Sequence, residues 1–249
     1  MIDAAVEGFA WAMVELCSNT PGGALERHGD ATVLVSGAAT SSLNYVMVMT
    51  PDPDPADVAS AAAAMPAYGV PWGMEFRSEP SNDIIHLAAG LGLDQHARPQ
   101  FMTCRPEDLV RRRTSLTSPT VETVETVGPE RWEEYTDVLT RGFGAPAGIF
   151  GEVMSGPVLG LPGFRGYLAR TAEGAVGTAL STLKDGALCV FNVAVRPSAR
   201  GRGVGRALTE AALSQDFTVA CLQSSTAGQP LYESMGFQAA ERWHTLEPS

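Results

Sequence analysis

Between Ile2 and Cys17 the apolar residues Ile2, Val6, Phe9, Met13 and Leu16 recur at every third or fourth position, and the run stops at Asn19, Pro21, Gly22 and Gly23. That spacing gathers them on one stripe of a helix, and the breaker cluster ends it. The period then shortens. Thr32–Val35 and Asn44–Met49 predict strands, Asp57–Met65 an alanine-rich helix, Trp72–Phe76 a strand, Asn82–Leu91 a helix and Gln100–Cys104 a strand. Strands alternating with helices predict an α/β sheet. Residues 31–51 carry no charge, but Gly37, Thr40, Ser41, Ser42 and Asn44 in their middle suit a turn between strands better than a bilayer helix.

The polar, proline-flanked stretch 105–120 predicts a linker, in which Arg111–Arg113 form a solvated face. The chain is therefore divided into residues 1–104, a linker at 105–118, and residues 119–249. Beyond the linker the pattern predicts a strand at Val121–Val127 and a helix at Pro129–Phe143, with proline in its first turn. Residues 142–163 are rich in glycine and proline, as expected of a segment that covers a substrate. Strands follow near Gly166–Arg170, Gly177–Leu183 and Leu188–Val195. A helix at Gly203–Ser214, a strand at Thr218–Leu222, a short helix at Ala227–Met235 and a strand at Gln238–Leu246 complete the chain.

With 249 residues, 45% hydrophobic and 18% charged, the chain is able to bury one large core or two small ones. Lysine and arginine number 17 against 28 acids, giving a net charge of −11 that disfavours a nucleic-acid partner. Cys17, Cys104, Cys189 and Cys221 form no CxxC pair and are expected to be buried thiols. Residues 1–8 lack the cationic start of a secretory signal, so a cytoplasmic location is expected, without a membrane partner. His28, His86, His96 and His244 show no metal-ligand spacing, and no metal is assigned. The residues do not choose between a monomer and a homodimer.

Against this acidic background Arg196, Arg200, Arg202 and Arg206 crowd together, in a run reading VAVRPSARGRGVGRAL from Val193 to Leu208. An apolar strand here passes through a glycine-arginine turn into an amphipathic helix. A helix start leaves about four N–H groups unpaired and carries roughly half a positive charge, and glycine lets a phosphate approach the backbone. The loop suits a pyrophosphate. It lacks the Gly-Lys-Ser/Thr ending of a Walker A site, Lys184 being the only lysine, and it fails GxGxxG, which makes ATP and NAD poor choices.

The stretch resembles the acyl-CoA-binding motif of the GNAT superfamily of N-acyltransferases, Gln/Arg-x-x-Gly-x-Gly/Ala, here Arg200, Gly203 and Gly205. A second family landmark, Leu-Tyr-x-x-x-Gly-Phe, stands as Leu231 to Phe237. The resemblance covers residues 119–249. It implies that the backbone of Val193, Ala194 and Val195 binds the thioester and pantetheine of acetyl-CoA or another acyl-CoA. It also implies that the amides of Arg200, Gly201, Arg202, Gly203, Val204, Gly205 and Arg206 hold the diphosphate. Tyr232 is implied to sit near the thioester sulfur, where a phenol that stays protonated at neutral pH donates to the departing thiolate. Ser225 stands where many members have Asn, and Gly228 where they have Ala; Ser225 is carried over as a coenzyme A contact able to cap the short helix. The base that must deprotonate the acceptor is not identified by the motifs; Glu152 in the covering stretch is a candidate, and a solvated surface acid is the alternative for it.

The first half reads as an echo of the second. Laying Val46–Pro51 on Asn192–Pro197 puts Asp54 opposite Arg200, Asp57 opposite Gly203 and Ala59 opposite Gly205, while Pro51, Pro53 and Pro55 remove amide hydrogens. Leu91-Gly92-Leu93 mirrors Met235-Gly236-Phe237, and Ala88 replaces Tyr232. The expected fold is an α/β pair of tandem GNAT-like domains with mixed sheets, the first degenerate and shaping the acceptor cleft. The expected activity is transfer of an acyl group, most simply acetyl, from acyl-CoA to the primary amine of a small molecule. A protein N-terminus or lysine as acceptor, and a CoA-binding sensor or scaffold without turnover, are the alternatives.

Overall fold

The computed structural model describes residues 1–111, 121–151 and 153–249, so Arg112 and Arg113, the later part of the expected linker, and the candidate Glu152 lie outside the described residues. The first half runs α1 (Ile2–Ser18), β1 (Ala24–His28), β2 (Ala31–Val35), β3 (Asn44–Val48), α2 (Pro55–Ala64), β4 (Gly73–Phe76), α3 (Asn82–Gly90), β5 (Gln95–Ala97) and β6 (Gln100–Cys104). The second half runs β7 (Thr123–Val127), α4 (Trp132–Phe143), α5 (Gly156–Leu159), β8 (Phe164–Thr171), β9 (Gly174–Lys184) and β10 (Ala187–Val195). It continues with α6 (Val204–Ala212), β11 (Val219–Ser224), α7 (Gln229–Glu233), β12 (Gln238–Arg242) and β13 (His244–Glu247).

Strands β1 and β5 are absent from the pattern-based expectation because they are mostly exposed and show no apolar alternation. The expected strand Gln238–Leu246 is corrected to two. It breaks at Trp243, and β12 and β13 belong to different sheets.

One sheet has the order β1-β2-β3-β4-β13-β5 and the other β12-β6-β11-β10-β9-β8-β7. Each half thus lends one strand to the other: β6 lies between β11 and β12, and β13 between β4 and β5. Apart from that exchange the halves share a plan, in which a parallel pair joined by a helix (β3-α2-β4, β10-α6-β11) is followed by a second helix and an antiparallel strand. The turn after α3 repeats the turn after α7. Leu93 N–H donates to Ala88 O at 2.9 Å and Phe237 N–H to Tyr232 O at 3.0 Å, with Gly92 and Gly236 both at positive φ. Ala88 therefore occupies in the first half the position of Tyr232 in the second.

The core has three parts. α2 and α3 bury valines and methionines on one sheet, and α6 and α7 do the same on the other. The central part belongs to both halves and centres on α1, whose Phe9 packs edge-on against Phe101 and Trp243 at 6.0 and 5.0 Å. Phe101 of β6 and Trp243 stack at 4.5 Å, joining the two exchanged strands. All four cysteines are buried thiols. Among the described residues no helix is long and apolar enough to cross a membrane.

Because the exchange ties the sheets together, the protein should unfold in a single thermal transition reported alike by circular dichroism and tryptophan fluorescence. Trp243→Ala, at a fully buried position, should cost about 3–5 kcal/mol and lower that midpoint by roughly 6–20 °C. Two separated transitions would contradict the shared core.

Candidate active site

The parallel pairing of β10 with β11 covers only Ala187–Cys189 against Val219–Cys221, although β10 continues to Val195 and β11 to Ser224. Beyond Cys189, β10 keeps β9 along one edge and β11 keeps β6 along its far edge, so the two strands part and their facing edges stay open. A β-bulge marks the opening: the β9–β10 register shifts between Phe191 and Ala194, and Asn192 takes φ of 54°. Thr178 fixes the bulge by donating its hydroxyl to Asn192 O at 2.9 Å.

A cavity of about 870 Å³ follows this gap. At one end stands the glycine-arginine loop. Gly201 and Gly203 have φ of 73° and 81°, a conformation that side-chain-bearing residues adopt only at a cost. The first helical bond of α6 runs from Ala207 N–H to Gly203 O, so the amides of Val204, Gly205 and Arg206 stand ahead of the ladder. Val193, Ala194, Val195, Arg200, Gly201, Gly203, Val204, Gly205, Arg206, Ser225 and Tyr232 all line the cavity, whereas Arg202 lies outside its wall.

The arginines do not all serve as free cations. Arg196 pairs with Asp137 at 3.0 Å, and Arg206 reaches Glu210 and the Ser234 hydroxyl. Arg200 donates to Val195 O at 3.1 Å and Gly142 O at 2.7 Å, clamping the end of β10 to α4. Arg196, Arg200 and Arg206 thus brace the loop, while the unpaired amides and the dipole at the start of α6 make the backbone there suited to an anion.

Ser225 accepts the Gly228 amide through its hydroxyl at 3.2 Å in the turn before α7, but it does not cap that helix as expected, because the N-cap is Gly228 and no side chain bonds the helix start; Tyr232 enters the cavity wall from α7. Burial pushes the Tyr232 phenol up to about 12, so it is protonated at any physiological pH. Among the described residues no cluster of three or more His, Cys, Asp or Glu is arranged to hold a metal.

The corresponding region of the first half is closed. There β3 and β4 stay paired through Val48 and Phe76, and Arg77 N–H extends the ladder to Val48 O at 3.0 Å. The start of α2 is filled by the chain's own acids. Asp54 accepts the Ala56 amide at 2.9 Å, and Asp57 accepts the Asp30 amide at 2.9 Å. An incoming phosphate would meet carboxylates and prolines.

The far end of the cavity is lined by Phe9, Met13 and Leu16 of α1, by Tyr45 of β3 and by Glu75 of β4. Pattern reading overlooked Glu75. The available signal was a carboxylate inside the strand Gly73–Phe76, all four of whose residues are buried. Glu75 is 3% exposed and accepts a hydrogen bond from Gln223 Nε2 at 2.5 Å. Burial pushes its carboxyl up to about 7, a rise that the Gln223 hydrogen bond opposes and the nearby Glu247 reinforces.

Residues 162–239 match the family described as the acetyltransferase (GNAT) domain. No curated protein matches the chain. Among solved structures, a GCN5-related N-acetyltransferase from Kribbella flavida is 20% identical with a TM-score of 0.68, over 99% of this chain and 96% of that one. A GCN5-related N-acetyltransferase from Sphaerobacter thermophilus is 18% identical with a TM-score of 0.56, over 88% and 76%. A tandem GNAT protein from the clavulanic acid biosynthesis pathway is 14% identical with a TM-score of 0.53, over 99% and 96%. At these identities the likeness to the solved structures is one of fold. Residues 162–239 therefore correspond to an acetyltransferase (GNAT) domain, and the chain as a whole has a fold similar to that of a tandem GNAT protein.

Proposed function

We propose that the protein is an N-acetyltransferase that moves the acetyl group of acetyl-CoA directly to the primary amine of a small molecule. The observation that carries this reading is one continuous cavity joining the open edges of β10 and β11, the amides at the start of α6, and Tyr232. The diphosphate rests on the amides between Gly201 and Arg206, and Ser225 borders the same path. The pantetheine takes the place of the missing β10–β11 hydrogen bonds along Val193–Val195. The amine nitrogen attacks the thioester carbon; a C–N bond forms, the C–S bond breaks, and sulfur leaves beside the Tyr232 hydroxyl.

The acceptor end is lined by α1 and by Phe150, Val153 and Met154, which suits a small molecule better than the chain end or lysine of a folded protein. A net charge of −11 favours the approach of a cationic amine.

Tyr232→Phe should lower kcat on the order of 10²- to 10⁴-fold in an amine-dependent thiol-release assay, with the Kd for coenzyme A unchanged. A rate within twofold of wild type would remove Tyr232 from the mechanism. Gly203→Asp forces a side chain into positive φ and puts a carboxylate at the start of α6. Calorimetry should show coenzyme A binding weakened by at least about tenfold. Tight coenzyme A binding without thiol release in the presence of any amine would favour the sensor reading.

A further inference from the structure

Resting on the transferase reading above, we propose that Glu75, supplied by the first half of the chain, is the catalytic base that takes the proton of the acceptor's ammonium group. We also propose that this acceptor is a primary monoamine carried on an apolar body.

Three observations point to it. Glu75 is buried and lines the cavity, yet among the described residues no arginine or lysine pairs with it. A buried carboxylate is ordinarily neutralised by a fixed cation. Its titratable surroundings are Tyr45 on β3, with Cys17 of α1 near that tyrosine, and Glu247 on β13, none of them a cation. An incoming ammonium supplies the missing charge. Second, its hydrogen-bond partner Gln223 belongs to the open part of β11, past the last parallel pair at Cys221 and two residues before Ser225. Gln223 is thus a positioning residue that holds the carboxylate at the gap where the thioester is expected. Third, most of the surrounding wall is apolar, with Phe9, Met13 and Leu16 from α1 and Phe150, Met154 and Phe191 from the second half, and the polar groups beside them, such as Ser42, Thr182 and Asn192, carry no charge. Burying a second unpaired charge or a run of hydroxyls against this wall would be costly.

The proton balance is simple. Glu75 accepts one proton from R–NH3⁺ and later releases it to solvent. The freed amine attacks the thioester, and the tetrahedral intermediate loses its second nitrogen proton as the C–S bond breaks. Tyr232 gives its hydroxyl proton to the departing sulfur and takes up the second nitrogen proton by way of solvent, so that amide, free thiol and the original phenol result. A base that titrates near 7 is well matched to this task at neutral pH.

The test compares wild type, Glu75→Gln and Gln223→Leu with acetyl-CoA and three amines: hexylamine, benzylamine and spermidine. Wild-type kcat/KM should rise with pH to a plateau above about 7, following ionisation of Glu75. Glu75→Gln should be on the order of 10²- to 10⁴-fold slower at pH 7. Its rate should climb about tenfold per pH unit toward the amine's own pKa, with coenzyme A affinity unchanged. Gln223→Leu removes the hydrogen bond that lowers the Glu75 pKa and should move the wild-type plateau to higher pH. Hexylamine and benzylamine should react at least about tenfold faster than spermidine, which brings further charges into an apolar wall.

Folding of the variant has its own readout. A carboxyl whose pKa is raised on folding binds more protons in the native than in the unfolded state, so its contribution falls as pH rises from about 4 to about 7. Glu75→Gln should therefore melt no lower than wild type at pH 8. Amine-dependent thiol release that keeps its rate and pH profile in Glu75→Gln would overturn the assignment of Glu75 alone. Preference for spermidine, or no reaction with any of the three amines, would overturn the apolar acceptor. A wild type that binds no coenzyme A would overturn the transferase reading and this assignment together.

Discussion

Two neighbouring parallel strands stop pairing after Cys189 and Cys221, and the site depends on that break. A continuous ladder would use up the backbone groups of Val190–Val195 and leave no room between β10 and β11. The break is held open by the bulge at Asn192, by the Arg200 clamp between Val195 O and Gly142 O, and by α6 starting from a glycine at positive φ. The bulge costs the fold something locally, in the left-handed backbone of Asn192 and an unfinished hydrogen-bond ladder. Such costs are common where a ligand completes the structure.

The first half uses the same plan for a different purpose. Its parallel pair is sealed to the end, its helix start is neutralised by Asp54, and Ala88 stands where the second half has Tyr232. Lacking the features of a phosphate site, it provides walls: α1 over the central core, Tyr45 and Glu75 lining the cavity. The exchange of β6 and β13 makes this cooperation structural, since neither sheet is complete without a strand from the other half. A division of the chain at residue 104 therefore follows the repeat in sequence but cuts across the sheets.

Much of this was legible in the residues. The glycine-arginine run and the Leu231–Phe237 motif carry their geometry locally, because positive φ and a strand-to-helix turn require particular residues in a short span. The match of Ala88 to Tyr232 was readable for the same reason, each sitting five residues before the residue that closes the turn. Strand exchange was not readable, because the local patterns of β6 and β13 do not depend on which sheet they join. Exposed β1 and β5 lacked the apolar alternation that marks a strand. The crowding of four arginines pointed to an anion site, but their density could not show that Arg196, Arg200 and Arg206 have partners far away in the chain, at Asp137, Gly142 and Ser234. Glu75 was hidden because a lone carboxylate in a strand signals a site only when its burial and its lack of a cation are known.

A crystal structure of the protein with coenzyme A tests the central claim most directly. The account predicts the diphosphate on the backbone amides between Gly201 and Arg206, with the pantetheine lying between β10 and β11 beyond Cys189. Electron density for the cofactor elsewhere, or a gap that closes into a continuous β10–β11 ladder in its presence, would contradict it.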